Sequence, residues 1–149
     1  MNQRLRRSAA HVVVGSLDAP SLDPDDEHHL GRVLRIRPTD EISLTDGEGR
    51  WAPARWSDGV VEVVGPIESI PAAEPVGVVV SIPKGDRPEW IVQKLTELGV
   101  DRIGFVAAHR CVVRWDDAKA ARQVERLVRI AREAVMQSRR VRVPTVELL

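Results

Sequence analysis

The sequence has 149 residues, 43% of them hydrophobic and 30% charged, with a formal net charge of zero. These values are typical of one medium or two small globular domains, and no apolar run approaches the roughly 20 residues of a membrane-spanning helix. The one cysteine, Cys111, cannot form an internal disulfide, which argues against a disulfide-stabilised secreted protein and predicts a cytoplasmic location.

Charge is distributed unevenly along the chain. Up to Pro75 there are 8 Arg and no Lys against 13 acidic residues, whereas the remainder has 14 basic residues against 9 acidic ones. Such asymmetry predicts two units with different surfaces. We therefore expect a domain at residues 1–68 and another at residues 76–149, joined by a short Pro-rich linker.

The first unit begins with a short apolar run at residues 12–14, which predicts a strand. Asp23 and Pro24 then have the pattern of a helix start, and Leu30, Val33 and Leu34 are expected to form the buried face of that helix. Beyond Pro38 the pattern has a period of two with Gly-containing turns, which predicts a small antiparallel sheet or barrel. The expected strands are residues 41–45, 50–56 and 60–64.

The second unit alternates strands and helices. The continuous apolar run at residues 76–82 is typical of a buried parallel strand. Asp86 is expected to cap the next helix with Glu89 in a capping box, and the apolar face of that helix to be Trp90, Ile91, Leu95 and Leu98. A strand at 100–107, a helix at 117–138 and a strand at 143–148 follow. This order predicts the start of a parallel sheet, which with so few strands would be unfinished.

The first candidate binding group lies on the predicted helix of the first unit. His28, Arg32 and Arg35 have the spacing i, i+4 and i+7, which predicts a cationic helix face suited to phosphate. The alternative is an ordinary solvated face whose charge is balanced by the acidic residues at positions 25–27. The spacing alone leaves both interpretations open.

A second candidate group follows the predicted parallel strands. Lys84 follows the first strand and Arg110 the second, at the sheet edge where α/β proteins bind ligands. The alternative is that the Lys84 loop is a structural helix start. Cys111 is predicted to be a small buried residue rather than a nucleophile, because neighbours at a strand exit point to different sides. No histidine has the spacing of a metal ligand.

Four passages, taken in order, resemble the 16S ribosomal RNA uridine-N3 methyltransferase family, a branch of the knotted SPOUT methyltransferases. They are HHLGRVLRIRPTDEISLTDGEGR, PKGDRPEWIVQKLTELGV, HRCVVRW and AREAVMQSRRVRVP, and the resemblance spans residues 27–146. It implies an α+β unit followed by an α/β unit. The first would be a PUA-like small β-barrel that binds RNA, and the second the first half of a SPOUT, knotted Rossmann-like, methyltransferase domain.

The resemblance also gives roles to individual residues. Arg35 and its helix, with His28 and Arg32, would contact RNA. The implied substrate cleft would be lined by Lys84, Glu97, Arg110, Gln137 and Arg140, with RNA contacts from Lys84 and Arg110 and a catalytic set of Arg140, Glu97 and Gln137. Methylation at N3 requires uridine to lose a proton, so a cation could stabilise the resulting anion and a carboxylate could take the proton. Arg140 is the candidate for the first role and Glu97 for the second.

The implied cofactor is S-adenosylmethionine, and the implied partner is 16S rRNA or the small ribosomal subunit. In the family a Gly-rich loop and a knotted segment bind the donor and form most of a homodimer interface. Neither pattern occurs here, so we expect the chain to be truncated before the knot, with the donor site mainly in missing residues. Two alternatives stay open, a non-catalytic RNA-binding module and a SPOUT enzyme for another RNA. A further departure is that residues 9–15 lack the family's usual aromatic strand.

Overall fold

The computed structural model describes residues 2–149, which form two compact units. The first extends to Pro71 (unit 1), and the second is Ala72–Leu149 (unit 2). The division falls within the Pro-rich stretch at residues 69–75. No helix in residues 2–149 is both long and apolar enough to cross a bilayer.

Unit 1 is built on a five-stranded mixed sheet. Its strands β2, β3 and β4 are antiparallel neighbours, β1 pairs in parallel with β2, and β5 pairs with β3. The elements in chain order are α1 (Gln3–Arg7), β1 (His11–Val13), α2 (Pro24–His28), a π-helical turn (His29–Val33), β2 (Ile42–Thr45), β3 (Arg50–Ser57), β4 (Val60–Val63) and β5 (Glu68–Ser69). The predicted strands and turns are confirmed, except that the sheet is mixed rather than antiparallel. Its closure into a barrel stays a prediction.

The helical segment of unit 1 differs from its prediction. Leu30 is buried, but the exposed fractions of Val33 and Leu34 are 59% and 44%. The α-helix ends at His28, and in the π-turn that follows the Leu34 N–H donates to the His29 carbonyl, five residues back, at 2.9 Å. Because a π-turn holds more residues than an α-turn, the three apolar side chains do not share one face.

An ion pair between Arg4 and Glu41 ties α1 to the start of β2. The Nε and Nη2 atoms of Arg4 donate to the two Glu41 carboxylate oxygens at 2.7 and 2.8 Å. This hydrogen bonding, opposed by desolvation and helped by charge attraction, lowers the pKa of Glu41.

The shift predicts that Glu41 stabilises unit 1 in a pH-dependent way. A carboxyl group with a lowered folded-state pKa stabilises the fold above its unfolded value, about 4.3 for glutamate, and this contribution is lost as the pH falls through the folded value. Urea unfolding should therefore show Glu41→Gln less stable than the wild type at about pH 7, with a smaller difference at about pH 3. A difference of equal size at both pH values would contradict this assignment.

Unit 2 is a three-stranded parallel sheet in the order β6-β7-β8. Its elements are β6 (Gly77–Ser81), α3 (Arg87–Leu98), β7 (Arg102–Val106), α4 (Asp117–Ser138) and β8 (Thr145–Leu148), which confirms the predicted strand and helix order. The two helices pack against each other and cover one face of the sheet. Phe105 and Ile103 of β7 lie fully buried against Val92 of α3 and Leu127 of α4.

The other face of this sheet is exposed in unit 2. Residues of β6 alternate between half-buried and exposed, and Val79 is 61% exposed. The strand expected to be buried is therefore covered on one face only, in keeping with the expected unfinished sheet. The physical reason is that right-handed crossovers between strands added in one direction place both helices on the same side. Val79 pairs with Gly104, and a Cβ on Gly104 would overlap the side chain of Leu149, which is 60% exposed.

Helix α3 corrects two further expectations. Trp90 and Leu98 are 63% and 75% exposed, while the residues that α3 buries include Val92. Asp86 precedes the helix without a side-chain capping bond, and the Glu89 carboxylate pairs instead with Arg126 of α4 at 3.0 Å. The predicted capping box is therefore replaced by an ion pair between the two helices.

Candidate functional site

The candidate group of unit 1 lies in the segment that includes the π-turn. His28 ends α2, Arg32 lies within the π-turn, and Arg35 follows it with a positive φ of 52°. All three side chains are exposed. The expected single α-helical face is wrong because neither the π-turn nor the left-handed backbone at Arg35 preserves the i, i+4, i+7 geometry.

Close packing fixes this segment against the sheet. A Cβ on Gly31 would lie 3.0 Å from the Trp56 ring at the end of β3, a tight contact, so glycine favours this close approach of the π-turn. The cations are therefore held on an ordered support. The arrangement suits phosphate contacts.

The second group lies at the carboxyl edge of the parallel sheet of unit 2. Lys84 and Arg110 are exposed in the loops that follow β6 and β7. The thiol of Cys111 joins these loops, because its Sγ donates to the Ile82 carbonyl oxygen at 3.1 Å. It also approaches the Val113 carbonyl at 3.1 Å, and Cys111 is half-buried against the core. These contacts indicate a structural role for the thiol.

Two further cations accompany this edge and were not singled out from the sequence. Arg87 begins α3, three residues after Lys84, and Arg114 follows Arg110 by four residues, both exposed. The signal for them is present in the passages PKGDRPEW and HRCVVRW, in which each pair of cations lies within one short loop region.

The third group is Arg140 with Glu97. The Nε and Nη2 atoms of Arg140 both donate to the backbone carbonyl of Glu97 at 3.1 Å, and the guanidinium lies over Gly99. The Glu97 carboxylate pairs with Lys94 Nζ at 2.9 Å. Arg140 therefore satisfies the end of α3, where the helix dipole favours a cation. The structure brings Arg140 and Glu97 together through a backbone carbonyl and not through the carboxylate.

Gly99→Ala is expected to lower the unfolding free energy of unit 2 by at least the roughly 1–2 kcal/mol that a left-handed backbone costs a residue with a Cβ. The φ angle of Gly99 is 89°, and its Cβ would displace the Arg140 guanidinium. Gly77→Ala is a matched control, because its Cβ would meet Arg102 at an ordinary 3.8 Å. Thermal unfolding compares the two, and equal midpoints would contradict the proposed packing.

Gln137 lies apart from the Lys84–Arg110 group and from the Arg140–Glu97 group of unit 2. It is exposed on α4 and lines a groove of about 400 Å³ between α3 and α4, opposite Trp90 and Gln93. Two carboxylates, Glu89 and Glu133, also border this groove.

The five residues expected to line one cleft thus occupy three places in unit 2. Lys84 and Arg110 follow the carboxyl ends of strands, whereas Glu97 and Arg140 lie at the ends of helices that lead back to the amino ends. Strands of five residues separate these edges by roughly 16 Å at about 3.3 Å per residue. Within one copy of unit 2, these residues do not surround a single small ligand.

Comparison with known proteins gives two family matches. The family described as "RNA methyltransferase domain" matches residues 71–149, and the one described as "RNA methyltransferase PUA domain" matches residues 22–57.

Individual proteins that the chain resembles carry a common name. The chain is 35% identical to the ribosomal RNA small subunit methyltransferase E of Mycobacterium bovis over 136 residues. It is also 35% identical to the protein of the same name from Bacillus subtilis over 134 residues. These alignments cover 85% of the chain but only 50% and 52% of the relatives. The chain therefore spans about half the length of the curated relatives it matches.

One solved structure is similar to this chain in both sequence and fold. The crystal structure of a ribosomal RNA small subunit methyltransferase E from Neisseria gonorrhoeae, bound to S-adenosyl methionine, aligns with a TM-score of 0.78 and 30% identity. The alignment covers 93% of this chain and 62% of that structure.

Proposed function

This chain belongs to the RNA methyltransferase domain family, and we propose that its gene encodes an S-adenosylmethionine-dependent enzyme that methylates N3 of a uridine in 16S ribosomal RNA. The observation that carries the proposal is the parallel strand-helix unit with cationic loops at its carboxyl edge, which the family match covers throughout. The common name of the relatives supports the small-subunit RNA as substrate. A cytoplasmic location accompanies this proposal.

RNA binding is assigned to both units. Unit 1 is proposed to be a PUA-like barrel that contacts RNA through His28, Arg32 and Arg35, and its match to the PUA family over residues 22–57 supports this. Lys84 and Arg110 are proposed to contact RNA phosphates from unit 2, since guanidinium and ammonium groups are the usual phosphate ligands.

The proposed chemistry requires uridine to lose its N3 proton. Arg140 is proposed to stabilise the resulting anion, and its guanidinium is already oriented by the Glu97 carbonyl and by close packing on Gly99. Glu97 is proposed to take the proton, which first requires its carboxylate to leave Lys94. Gln137 is proposed to position the base by hydrogen bonding. S-adenosylmethionine supplies an electrophilic methyl group when it is bound.

The separation of these groups within unit 2 supports a homodimer as the working form. Lys84 and Arg110 lie at one sheet edge and Arg140 at the other, so two copies in contact would allow groups from both to meet at one RNA. The whole protein is therefore proposed to act as a homodimer on the small ribosomal subunit.

The described residues fit the methyl donor poorly. An adenosine group needs apolar walls and a few fixed polar contacts, whereas the carboxyl-edge loops of unit 2 present the exposed charged side chains of Lys84, Arg87, Arg110 and Arg114. We therefore propose that the donor site lies mainly in residues of the whole protein outside this chain.

Deletion of the gene tests the function. Mass-spectrometric mapping of ribosomal and transfer RNA should show the loss of one N3-methyluridine from 16S rRNA, restored when the gene is returned. Loss of a methyl group from a transfer RNA instead would favour a SPOUT enzyme for another RNA and overturn the 16S assignment.

The second candidate function is a non-catalytic RNA-binding module, which is favoured by the poor fit of residues 2–149 to the donor. Calorimetric titration of the 149-residue chain with S-adenosylmethionine is expected to show no binding. Tight binding would overturn the placement of the donor site outside the chain.

A further inference from the structure

Helix α1 carries three arginines that the proposed function has not used. Arg4, Arg6 and Arg7 lie within the five residues Gln3–Arg7, and all three are exposed. Arg4 is held by Glu41, whereas Arg6 and Arg7 have neither an ion pair nor a side-chain hydrogen bond to any residue in the described part of the chain. Two arginines without a partner among the described residues therefore follow each other in the helix, on a unit whose sequence is acidic.

Several contacts fix this short helix in place. Asn2 caps it by accepting from the Arg4 N–H at 2.8 Å, and the Asn2 amide also donates to Glu68 of β5 at 2.9 Å. Leu5 is completely buried. A helix of five residues does not persist alone in water, so these contacts hold α1, and with it the backbone of Arg6 and Arg7, against the sheet.

A buried hydrogen-bond network continues this attachment beyond the helix. The Ser8 hydroxyl donates to the Leu5 carbonyl at 2.9 Å and shares a hydrogen bond of 2.8 Å with the Ser43 hydroxyl of β2. Ser43 is in turn hydrogen-bonded to His11 Nδ1 at 2.7 Å. Side chains mounted on such a support lose less freedom on binding, which favours affinity.

The surface next to these arginines is a shallow depression lined by polar and charged residues. Gln3, Arg4, Arg7, Ser8 and Glu41 line a depression of about 460 Å³. Since Glu41 already neutralises Arg4, the charge that remains available at this depression is that of Arg7, with Arg6 its neighbour along the helix.

The chemistry of the patch favours an RNA backbone over a membrane surface. Guanidinium groups bind phosphate oxygens in a fork of two hydrogen bonds. A membrane-binding helix also needs an exposed apolar face, but the apolar residue of α1, Leu5, is turned fully into the core. RNA phosphate is therefore the partner that fits the exposed part of the helix.

We propose that Arg6 and Arg7 form a phosphate-binding patch, an additional RNA contact of unit 1 carried by a different element from His28, Arg32 and Arg35. The proposal rests on the proposed RNA-binding function of this unit. Helix α1 is attached to β2 and β5, whereas the π-turn packs on Trp56 at the end of β3, so each contact has its own support on the sheet.

The salt dependence of RNA binding tests the proposal. The 149-residue chain is titrated into a fluorescein-labelled hairpin of 16S rRNA sequence at about 50 to 200 mM KCl. Two phosphate contacts contribute about 1.5 to the steepness with which log affinity falls with log salt. Arg6→Gln/Arg7→Gln should therefore make this dependence shallower by about that amount. The same variant should weaken binding roughly 10- to 30-fold at about 0.1 M salt.

A double variant with the same charge change is the control. Arg37 and Arg50 are exposed arginines of unit 1 that are paired with Asp40 and Asp46, so Arg37→Gln/Arg50→Gln should leave the slope nearly unchanged. Equal losses of RNA affinity in both double variants would show that only the net charge of the chain matters, and would overturn the proposed patch. Unchanged binding by Arg6→Gln/Arg7→Gln would also overturn it.

The remaining outcomes separate this proposal from the function on which it rests. If the wild-type chain binds no RNA, the RNA-binding function of the chain fails, and the patch with it. If the wild type binds RNA and Arg6→Gln/Arg7→Gln binds it with the same affinity, the patch fails but the RNA-binding function stands. Phosphatidylserine vesicles should not bind the chain, and vesicle binding that Arg6→Gln/Arg7→Gln abolishes, with RNA binding unchanged, would assign the arginines to membranes instead.

Discussion

Arg140→Ala is expected to reduce the rate of methyl transfer by the whole gene product roughly 100- to 1,000-fold, the usual cost of removing one fixed donor that stabilises a developing anion. The guanidinium is held by two hydrogen bonds to the Glu97 carbonyl and by contact with Gly99. Arg140→Lys should recover little of the rate, because an ammonium group cannot reproduce the fork of the guanidinium.

A purely structural role for Arg140 predicts a different result. The variant would then unfold at a lower temperature but keep its kcat when assayed well below that temperature. Arg102→Ala is the matched control, since Arg102 begins β7 at the same sheet edge, has a side chain that is 69% exposed and pairs with Glu147. We expect normal kcat for Arg102→Ala, and a normal kcat for Arg140→Ala would remove Arg140 from the reaction.

Phe105→Ala is expected to lower the unfolding free energy of unit 2 by about 3–5 kcal/mol. Phe105 is completely buried in β7, and its ring packs on Trp115 with the ring centroids 6.0 Å apart. Truncation would remove apolar contacts to both helices and leave a cavity at the centre of the core. A loss of this size is a large fraction of the stability of a typical domain.

Val79→Ala provides the control for this prediction. Val79 lies on the neighbouring strand of the same sheet but on its uncovered face, where it is 61% exposed. We expect a change within about 0.5 kcal/mol. Urea unfolding of both variants measures the difference, and similar losses for Phe105→Ala and Val79→Ala would contradict the assignment of the covered face.

The strands and long helices could be predicted because local patterns determine them. Period-two alternation with turns at Gly47, Gly49 and Gly59 located β2, β3 and β4, and the three glycines do adopt positive φ angles. The helix predicted at residues 117–138 has those bounds in the structure. Each of these signals depends only on residues close together in the sequence, so the sequence alone is enough to predict these elements.

The side-chain faces could not all be predicted, because they depend on small changes of helix geometry. One π-turn after His28 moved Val33 and Leu34 into solvent and separated Arg32 and Arg35 from the expected common face. Likewise Glu89 has the spacing of a capping box but pairs with Arg126, 37 positions away by the numbering of the chain. Tertiary contacts of this kind have no signal at short sequence spacing.

The candidate site was predicted as a set of residues but not as a geometry. Lys84 and Arg110 do lie at one edge of the sheet, as expected for residues that follow parallel strands. Arg140 and Glu97 meet at the end of α3, which no spacing in the sequence indicates. Resemblance to a family assigns residues to a function, but only the fold shows which of them share an edge of the sheet.

Methyl transfer measured directly on ribosomal RNA is the most direct test. Small ribosomal subunits from a strain lacking the gene are incubated with the purified gene product and methyl-labelled S-adenosylmethionine, and the labelled nucleoside is identified. We predict one labelled methyl group for each 16S rRNA, on N3 of a uridine. Subunits that bind the protein but gain no label would contradict the methyltransferase function and leave an RNA-binding module.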